Sequence, residues 1–534
     1  MRFRVGMLFL SAAMAGWAQF PPQIRNVVII LQENRTPDNL FHGLTPACPI
    51  PPNAQGLTAC TPAPVTESCY NIASCGVSNQ SGTPVSVPLK PTPLYGSVLP
   101  QHSHWSFEKM CDSDPATLEC RNDGAWKITV PYGKAYAYVQ NTPVRNSDGS
   151  EGHLLDPYLT LAKRYGWANY MFQTNQGPSY AAHQYLFAGT SALTAEDDAN
   201  ATFVAEDFNY NTLIGCLAPA TATNNIISPA KSLRPGGCSL FADGSVQECP
   251  APNVNLLYPL IPVGSFCTSR ETLSDLLDQH GITWGYYSAT NAPIANAPVA
   301  SKQICEPQFA NPYYWDPTQA LTCTGTKWER NVHSSNLGTD ILNDIANCAL
   351  PQVTWVTPDD RWSDHAGGND LYGPSWVATV VNAIASRDTC PAGTPDAGQN
   401  YWHNTAILVT WDDWGGWADH EIPRMASKLP CKSGSCHGDY EQGFRVPLVV
   451  ISAYTPAGFI SNERHDFGSI LRMIEGVNHI PEGKLGFADA RATTDLREFF
   501  PRTSPRAYSF VPAEKDASFF LSTKGAPAID PDDQ

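Results

Sequence analysis

Two stretches of this sequence place acidic side chains directly after apolar runs. Val27-Val28-Ile29-Ile30-Leu31 leads into Gln32-Glu33-Asn34-Arg35, and Ala406-Ile407-Leu408-Val409-Thr410-Trp411 leads into Asp412-Asp413-Trp414-Gly415-Gly416. Glu33, Asn34, Asp412 and Asp413 offer hard oxygen donors, which suit a divalent ion of the Mg, Ca or Mn class, and carboxylates also bind Zn. A structural calcium site uses the same residue types, so types alone leave a structural and a catalytic ion equally open. Three features favour catalysis. Gly415 and Gly416 let backbone approach closely after the Asp pair. Ser179, in Gln173-Thr174-Asn175-Gln176-Gly177-Pro178-Ser179-Tyr180, falls at the start of a helical run. There, free N–H groups and the helix dipole favour negative charge, although serine is also a preferred N-cap. Histidines also recur in polar contexts: His102 and His104 in Gln-His-Ser-His-Trp, His153, His365 and His420. Any one of them could be a satisfied structural residue, but several beside two acidic strand ends favour at least one that moves protons.

These residues need a scaffold, and the chain shows one. Both apolar runs read as buried strands of a parallel sheet, so both acidic pairs sit beyond carboxyl ends, the ligand-binding edge of open α/β sheets. Between them the pattern predicts a helix over Pro157–Trp167, a helical run Ala181–Phe187 and a helix Thr272–His280. It also predicts strands at Ile282–Tyr287 and Val353–Val356, a helix Trp376–Ser386 and a strand Val446–Ile451. Strand and helix alternating in this way specify an α/β three-layer sandwich around a mostly parallel central sheet.

The bulk properties set the compartment. Arg2 and Arg4, the apolar run Val5–Ala15 and the small residues before Gln19 make residues 1–18 a secretory signal, too short to span a bilayer at roughly 20 residues. Cleavage after Ala18 removes two arginines and no acids, taking the net charge from -17 to -19. Such a chain has no general attraction for nucleic acid or anionic lipid, so charge to meet a phosphate must be supplied locally. The 16 cysteines, with no Cys-x-x-Cys pair, fit disulfides in an oxidising compartment, secreted or periplasmic. Cys48, Cys60, Cys69 and Cys75 cluster, and Cys431 and Cys436 close a short loop; connectivity stays open. The expected organisation is one domain over 19–500, with Pro-rich, disulfide-stapled loop insertions around 44–100 and 216–270 and a tail from 501 to 534. No other segment is apolar enough for a transmembrane anchor, and nothing in the sequence fixes the oligomeric state.

In these motifs the chain resembles the bacterial phosphoesterase family of secreted phospholipases C and an acid phosphatase. The likeness runs in order from about residue 24 to 480, through Glu33-Asn34-Arg35-Thr36-Pro37-Asp38, His102-Ser103-His104, Gly177-Pro178-Ser179 and His365. It continues through Thr410–His420, Arg445-Val446-Pro447 and His465–Arg472. The resemblance implies an alkaline-phosphatase-like fold and one divalent metal ion (Ca, Mg, Mn or Zn) on Glu33, Asn34, Ser179, Asp412 and Asp413. Ser179 would be the nucleophile, with His102 and His365 near the phosphate and leaving group. It implies a phosphate mono- or diester substrate, phospholipid among the candidates, hydrolysed through a phosphoseryl intermediate. Pro37 stands where the family has an aromatic residue, and Ser179-Tyr180-Ala181-Ala182-His183 departs from the better-known phospholipases C and lacks the Pro and Arg of sulfatases. The competing expectation is a non-catalytic secreted binding protein that keeps the scaffold and a structural ion.

Overall fold

The computed structural model describes residues 19–526 except 52–59, 97–98, 115–119, 130–132, 200–202, 208–213, 219–222, 228–259, 263–266, 290–293, 309–321, 335 and 425–441. The signal segment, most of the 216–270 insertion and the Cys431–Cys436 loop lie outside the described residues.

The central sheet has eight strands. In chain order they are β1 (Asn26–Gln32), β2 (Gly166–Met171), β3 (Trp284–Tyr287), β4 (Val332–His333), β5 (Val353–Val356), β6 (Thr405–Trp411), β7 (Leu448–Ser452) and β8 (Phe459–His465). Their spatial order is β4-β3-β5-β1-β6-β7-β2-β8. Every residue of β1 and β6 is buried, as continuous apolar runs require. The sheet is mostly parallel: β7 alone runs against its neighbours β6 and β2. Strand direction was beyond the pattern, because a fully buried run reads the same either way.

Register settles which helices cover which face. Ile29 pairs with Trp355 and with Leu408, so these three side chains share a face. Trp355 donates from Nε1 to Leu186 O (3.2 Å) and its ring meets Phe187. Trp411, three residues past Leu408, points the opposite way, and its ring lies 5.2 Å from that of Tyr158. The helices in question are α1 (His104–Cys111), α2 (Asp156–Arg164), α3 (Ser179–Ala188), α4 (Leu273–Gln279), α5 (Gly373–Ala385) and α6 (Phe467–Val477). Leu186 lies on α3 and Tyr158 on α2, so these two helices sit on opposite faces. Helices α4 and α6 pack with α3, and α5 packs with α2, giving three layers.

One expected helix is cut short. Helix α2 stops at Arg164, and Trp167 belongs to β2, fully buried in the sheet core. A Cβ on Gly166 would fall 2.4 Å from Phe499, so the chain turns tightly there into the strand. Beyond residue 500 the chain packs onto the α5 side, with the Phe520 ring 5.1 Å from Trp376 and 4.9 Å from Trp362. Among the described residues six disulfides join Cys48–Cys69, Cys60–Cys75, Cys111–Cys120, Cys216–Cys267, Cys305–Cys323 and Cys348–Cys390. Each closes a loop outside the sheet. Among the described residues no helix is long and apolar enough to cross a membrane.

Candidate functional site

Strands β1 and β6 end side by side. Gln32 pairs with Trp411, and Asp412 N donates to Gln32 O (3.0 Å), so Glu33-Asn34 and Asp412-Asp413 leave the sheet together. Asn34 adopts φ 59°, a left-handed conformation that asparagine tolerates. Its N–H and that of Asp413 both donate to Asp412 Oδ1, at 3.0 and 2.7 Å. Gly415, at φ 60°, donates its N–H to Asp413 Oδ1 (2.6 Å). A Cβ on Gly415 would sit 2.1 Å from Asn34 O, so only glycine lets the two loops meet.

The third element is the turn into α3. Gln173 braces it by donating to Asn175 O (3.0 Å) and Gly177 O (3.1 Å), while its Oε1 accepts from Trp414 N (3.1 Å) beside the Asp pair. Ser179 is the first helical residue; Pro178 holds the N-cap position and makes no side-chain cap. The serine hydroxyl is therefore left for the site, 3.2 Å from Asp413 Oδ2 and 3.4 Å from Asn34 Oδ1. The helix end differs from expectation in one respect. Tyr180 N donates to Asp207 Oδ1 (2.8 Å), so one of the first N–H groups of the helix already serves a carboxylate of the chain itself. The preceding backbone is pressed against the same turn, since a Cβ on Gly177 would lie 2.0 Å from Ala205 O. Next to it, Glu206 Oε2 accepts from His104 N (3.0 Å), and burial pushes its carboxyl up to about 7.

The histidines separate by what they touch. His102 Nδ1 bonds to Pro100 O (3.0 Å), an acceptor, so this nitrogen carries the proton and Nε2 accepts from Asn34 Nδ2 (3.0 Å). That bond turns the Asn34 carbonyl oxygen towards Ser179. His365 donates from Nδ1 to Ala366 O (2.9 Å), and its ring centre lies 5.9 Å from that of His102. Ser179, Asn34, Asp412, Asp413, His102 and His365 are all buried. His104 instead braces the serine turn through Gln176 O (2.8 Å), and burial pushes its imidazole down to about 4. His153 lies on an exposed hairpin beside Asp156. His420 belongs to a separate buried ionic cluster: Nδ1 is 2.6 Å from Asp38 Oδ2 and Nε2 is 3.0 Å from Asn71 Oδ1. Asp38, Asp419 and His420 are close enough to hold a metal, but the cation there is Arg445, bonded to Asp419 (2.9 and 3.0 Å) and Asp38 (3.2 Å).

One residue of the site was missed. His183, one turn after Ser179 on α3, puts Nε2 3.6 Å from Asp412 Oδ2 and 3.9 Å from Glu33 Oε1. In sequence it reads as one histidine within an apolar helix; its position four residues past the serine, on the same face, was the available signal. Among the described residues neither His183 Nε2 nor Asp412 Oδ2 has a hydrogen-bond partner. Orphaned buried polar atoms facing one another in a carboxylate-rich site are what a bound cation satisfies, so the donor set fits a metal ion.

Carboxylates from two adjacent strand ends meet a buried serine at a helix start on one edge of an α/β sheet. Residues 24–481 match the Phosphoesterase family, and the chain belongs to that family. A non-hemolytic phospholipase C of Burkholderia pseudomallei is 29% identical over 168 residues, covering 28% of this chain and 22% of that protein. Phospholipase C B of Mycobacterium tuberculosis is 28% identical over 180 residues, covering 31% of this chain and 32% of that protein. The chain thus spans less than a third of the curated relatives it matches. A solved structure from Vibrio parahaemolyticus, described as a protein of the alkaline phosphatase superfamily, overlaps 67% of this chain and 66% of that one, at 11% identity and TM-score 0.31.

Proposed function

We propose that this protein hydrolyses phosphate esters, using Ser179 as nucleophile and a phosphoseryl intermediate. The observation that carries the reading is the Ser179 hydroxyl, buried and 3.2 Å from Asp413 Oδ2 at the shared strand-end edge. Asp413 Oδ2 accepts the hydroxyl proton as the serine oxygen bonds to phosphorus and the bond from phosphorus to the leaving oxygen breaks. His365 in its protonated form gives the leaving oxygen its proton through Nε2. His102 acts through Asn34, fixing the amide whose oxygen faces the serine. Water then attacks phosphorus, giving a proton to His365 Nε2, the phosphoseryl bond breaks as Asp413 returns the serine its proton, and phosphate leaves. A divalent ion on Glu33, Asn34, Ser179, Asp412 and Asp413 would supply Lewis acidity to phosphoryl oxygens and favour the ionised serine.

The phospholipase C relatives make phosphodiesters, lipid ones among them, the first substrates to try beside aryl monoesters. The signal-like residues 1–18 and the six disulfides support a secreted or periplasmic site of action. Ser179→Ala tests the nucleophile: hydrolysis of an aryl phosphate should fall by ~1,000-fold or more with unfolding unchanged. Activity within a few-fold of wild type would remove Ser179 from this role.

A further inference from the structure

The tautomer of His183 can be read from its surroundings. Tyr286 has one hydroxyl proton, and that proton goes to Ala295 O at 2.5 Å. Tyr286 therefore meets His183 Nδ1, 3.3 Å away, as an acceptor, and Nδ1 is the protonated nitrogen. In the neutral ring the lone pair on Nε2 then points into the site at two carboxylates, 3.6 and 3.9 Å away. Lone pair against carboxylate is repulsive in a site where His183 is 1% and Asp412 0% exposed. The three donor atoms lie within 4.8 Å of one another. Two ligands each ~2.1 Å from a shared ion at a tetrahedral angle stand roughly 3.4 Å apart, so small rotamer shifts close the set. An imidazole that gives its other N–H to a protein oxygen is the usual arrangement around a metal-bound histidine.

We propose that His183 Nε2 is a direct ligand of the metal ion, beside Glu33 and Asp412, and that the site therefore takes a zinc- or cobalt-like ion in preference to calcium or magnesium. Calcium and magnesium select oxygen donors almost exclusively, whereas imidazole nitrogen favours first-row transition ions. The inference builds on the metal-dependent reading above, though not on the serine's role.

The experiment uses the full chain, stripped with chelator and titrated with Co2+ or Ca2+, with binding followed by calorimetry and by the visible absorption of cobalt. Wild type should bind Co2+ at least 100-fold more tightly than Ca2+, and His183→Gln should lower Co2+ affinity on the order of 100-fold and alter the cobalt spectrum. Equal affinity for the two ions, or a His183→Gln protein that binds Co2+ as wild type does, overturns the assignment. Should His183→Gln fail to fold, Tyr286→Phe serves: it keeps the imidazole but removes its anchor, and should cost ~10–100-fold in Co2+ affinity. Unchanged affinity in that variant counts against the proposal. The two readings fail separately: cobalt binding to the wild-type chain needs no turnover, and loss of aryl-phosphate hydrolysis in Ser179→Ala needs no histidine ligand.

Discussion

Replacing His420 with glutamine should change how stability depends on pH, by an amount the structure sets. His420 is enclosed by Asp38, Asn71 and Glu421, both ring nitrogens face oxygen acceptors, and it is 4% exposed. Burial lowers its affinity for a proton, but Asp38 and Glu421 overcome that and raise its pKa from 6.5 to about 9. At ~1.4 kcal/mol for each tenfold gain in proton affinity, that rise amounts to ~3.5 kcal/mol. Because the folded-state pKa is raised, that stabilisation is fully present below pH 6.5 and is lost as pH climbs through 9. Other groups act in the same direction: Glu475, buried beside Asp489, is pushed up to about 9, so it too loses stability as pH rises. The informative quantity is therefore the difference between wild type and His420→Gln, measured by urea unfolding of the oxidised proteins from pH 5 to 9.5. At pH 6 the variant should be less stable by ~3–5 kcal/mol, the usual cost of breaking a buried pair. Most of that gap should close between pH 6.5 and 9. A gap of constant size across this range refutes the claim that His420 is a buried imidazolium, and no gap at all refutes the importance of the cluster.

Three further outcomes are expected. Gly415→Ala forces a Cβ to within 2.1 Å of Asn34 O at a left-handed φ, so it should destabilise by ~3 kcal/mol or more and lower metal content, as read by unfolding and elemental analysis. His102→Ala releases the Asn34 amide, and kcat should fall ~10–100-fold with little change in KM; an unchanged kcat removes His102 from positioning Asn34. Asp364 accepts from Tyr158 and Trp411, and burial pushes its carboxyl up to about 6, so its charge costs stability as pH rises from 3.8 through 6. Asp364→Asn should lose less stability than wild type over that interval, and parallel pH curves would contradict this.

The parts of the site legible in sequence were those written in local pattern. Continuous apolar runs ending in Glu33-Asn34 and Asp412-Asp413 could only be buried strands, and strands buried on both faces deliver their ends to one edge. Ser179 was placed at a helix start by Gly177-Pro178 before it. What stayed hidden depends on contacts distant in the chain. Asp207 caps α3 from 27 residues away, a pairing no local spacing announces. His183 faces Asp412 only because α3 packs on the Trp355 face, and in sequence Tyr-Ala-Ala-His-Gln reads as a helix core. The direction of β7 and the end of α2 at Arg164 escaped for the same reason: hydrophobic pattern reports burial, and burial alone fixes neither strand sense nor the point where a helix yields to a strand.

The Cys216–Cys267 bond spans a sequence separation of 51 residues. The excursion is thus tied off at its base, and within it Thr223–Ile227 pairs with Leu260–Pro262 and with Phe203–Val204. Because the disulfide holds the loop's ends together in the unfolded chain too, doubling the loop shifts the folding free energy by less than the roughly 0.6 kcal/mol that an open loop would cost. Natural variation can therefore lengthen or trim this loop while strands β1 and β6 and helix α3 stay as they are, leaving one candidate site to serve proteins with very different outer surfaces. Swapping the 217–266 segment for a short Gly-Ser linker, with both cysteines kept, is the direct way to see how much of the molecule is indifferent to it.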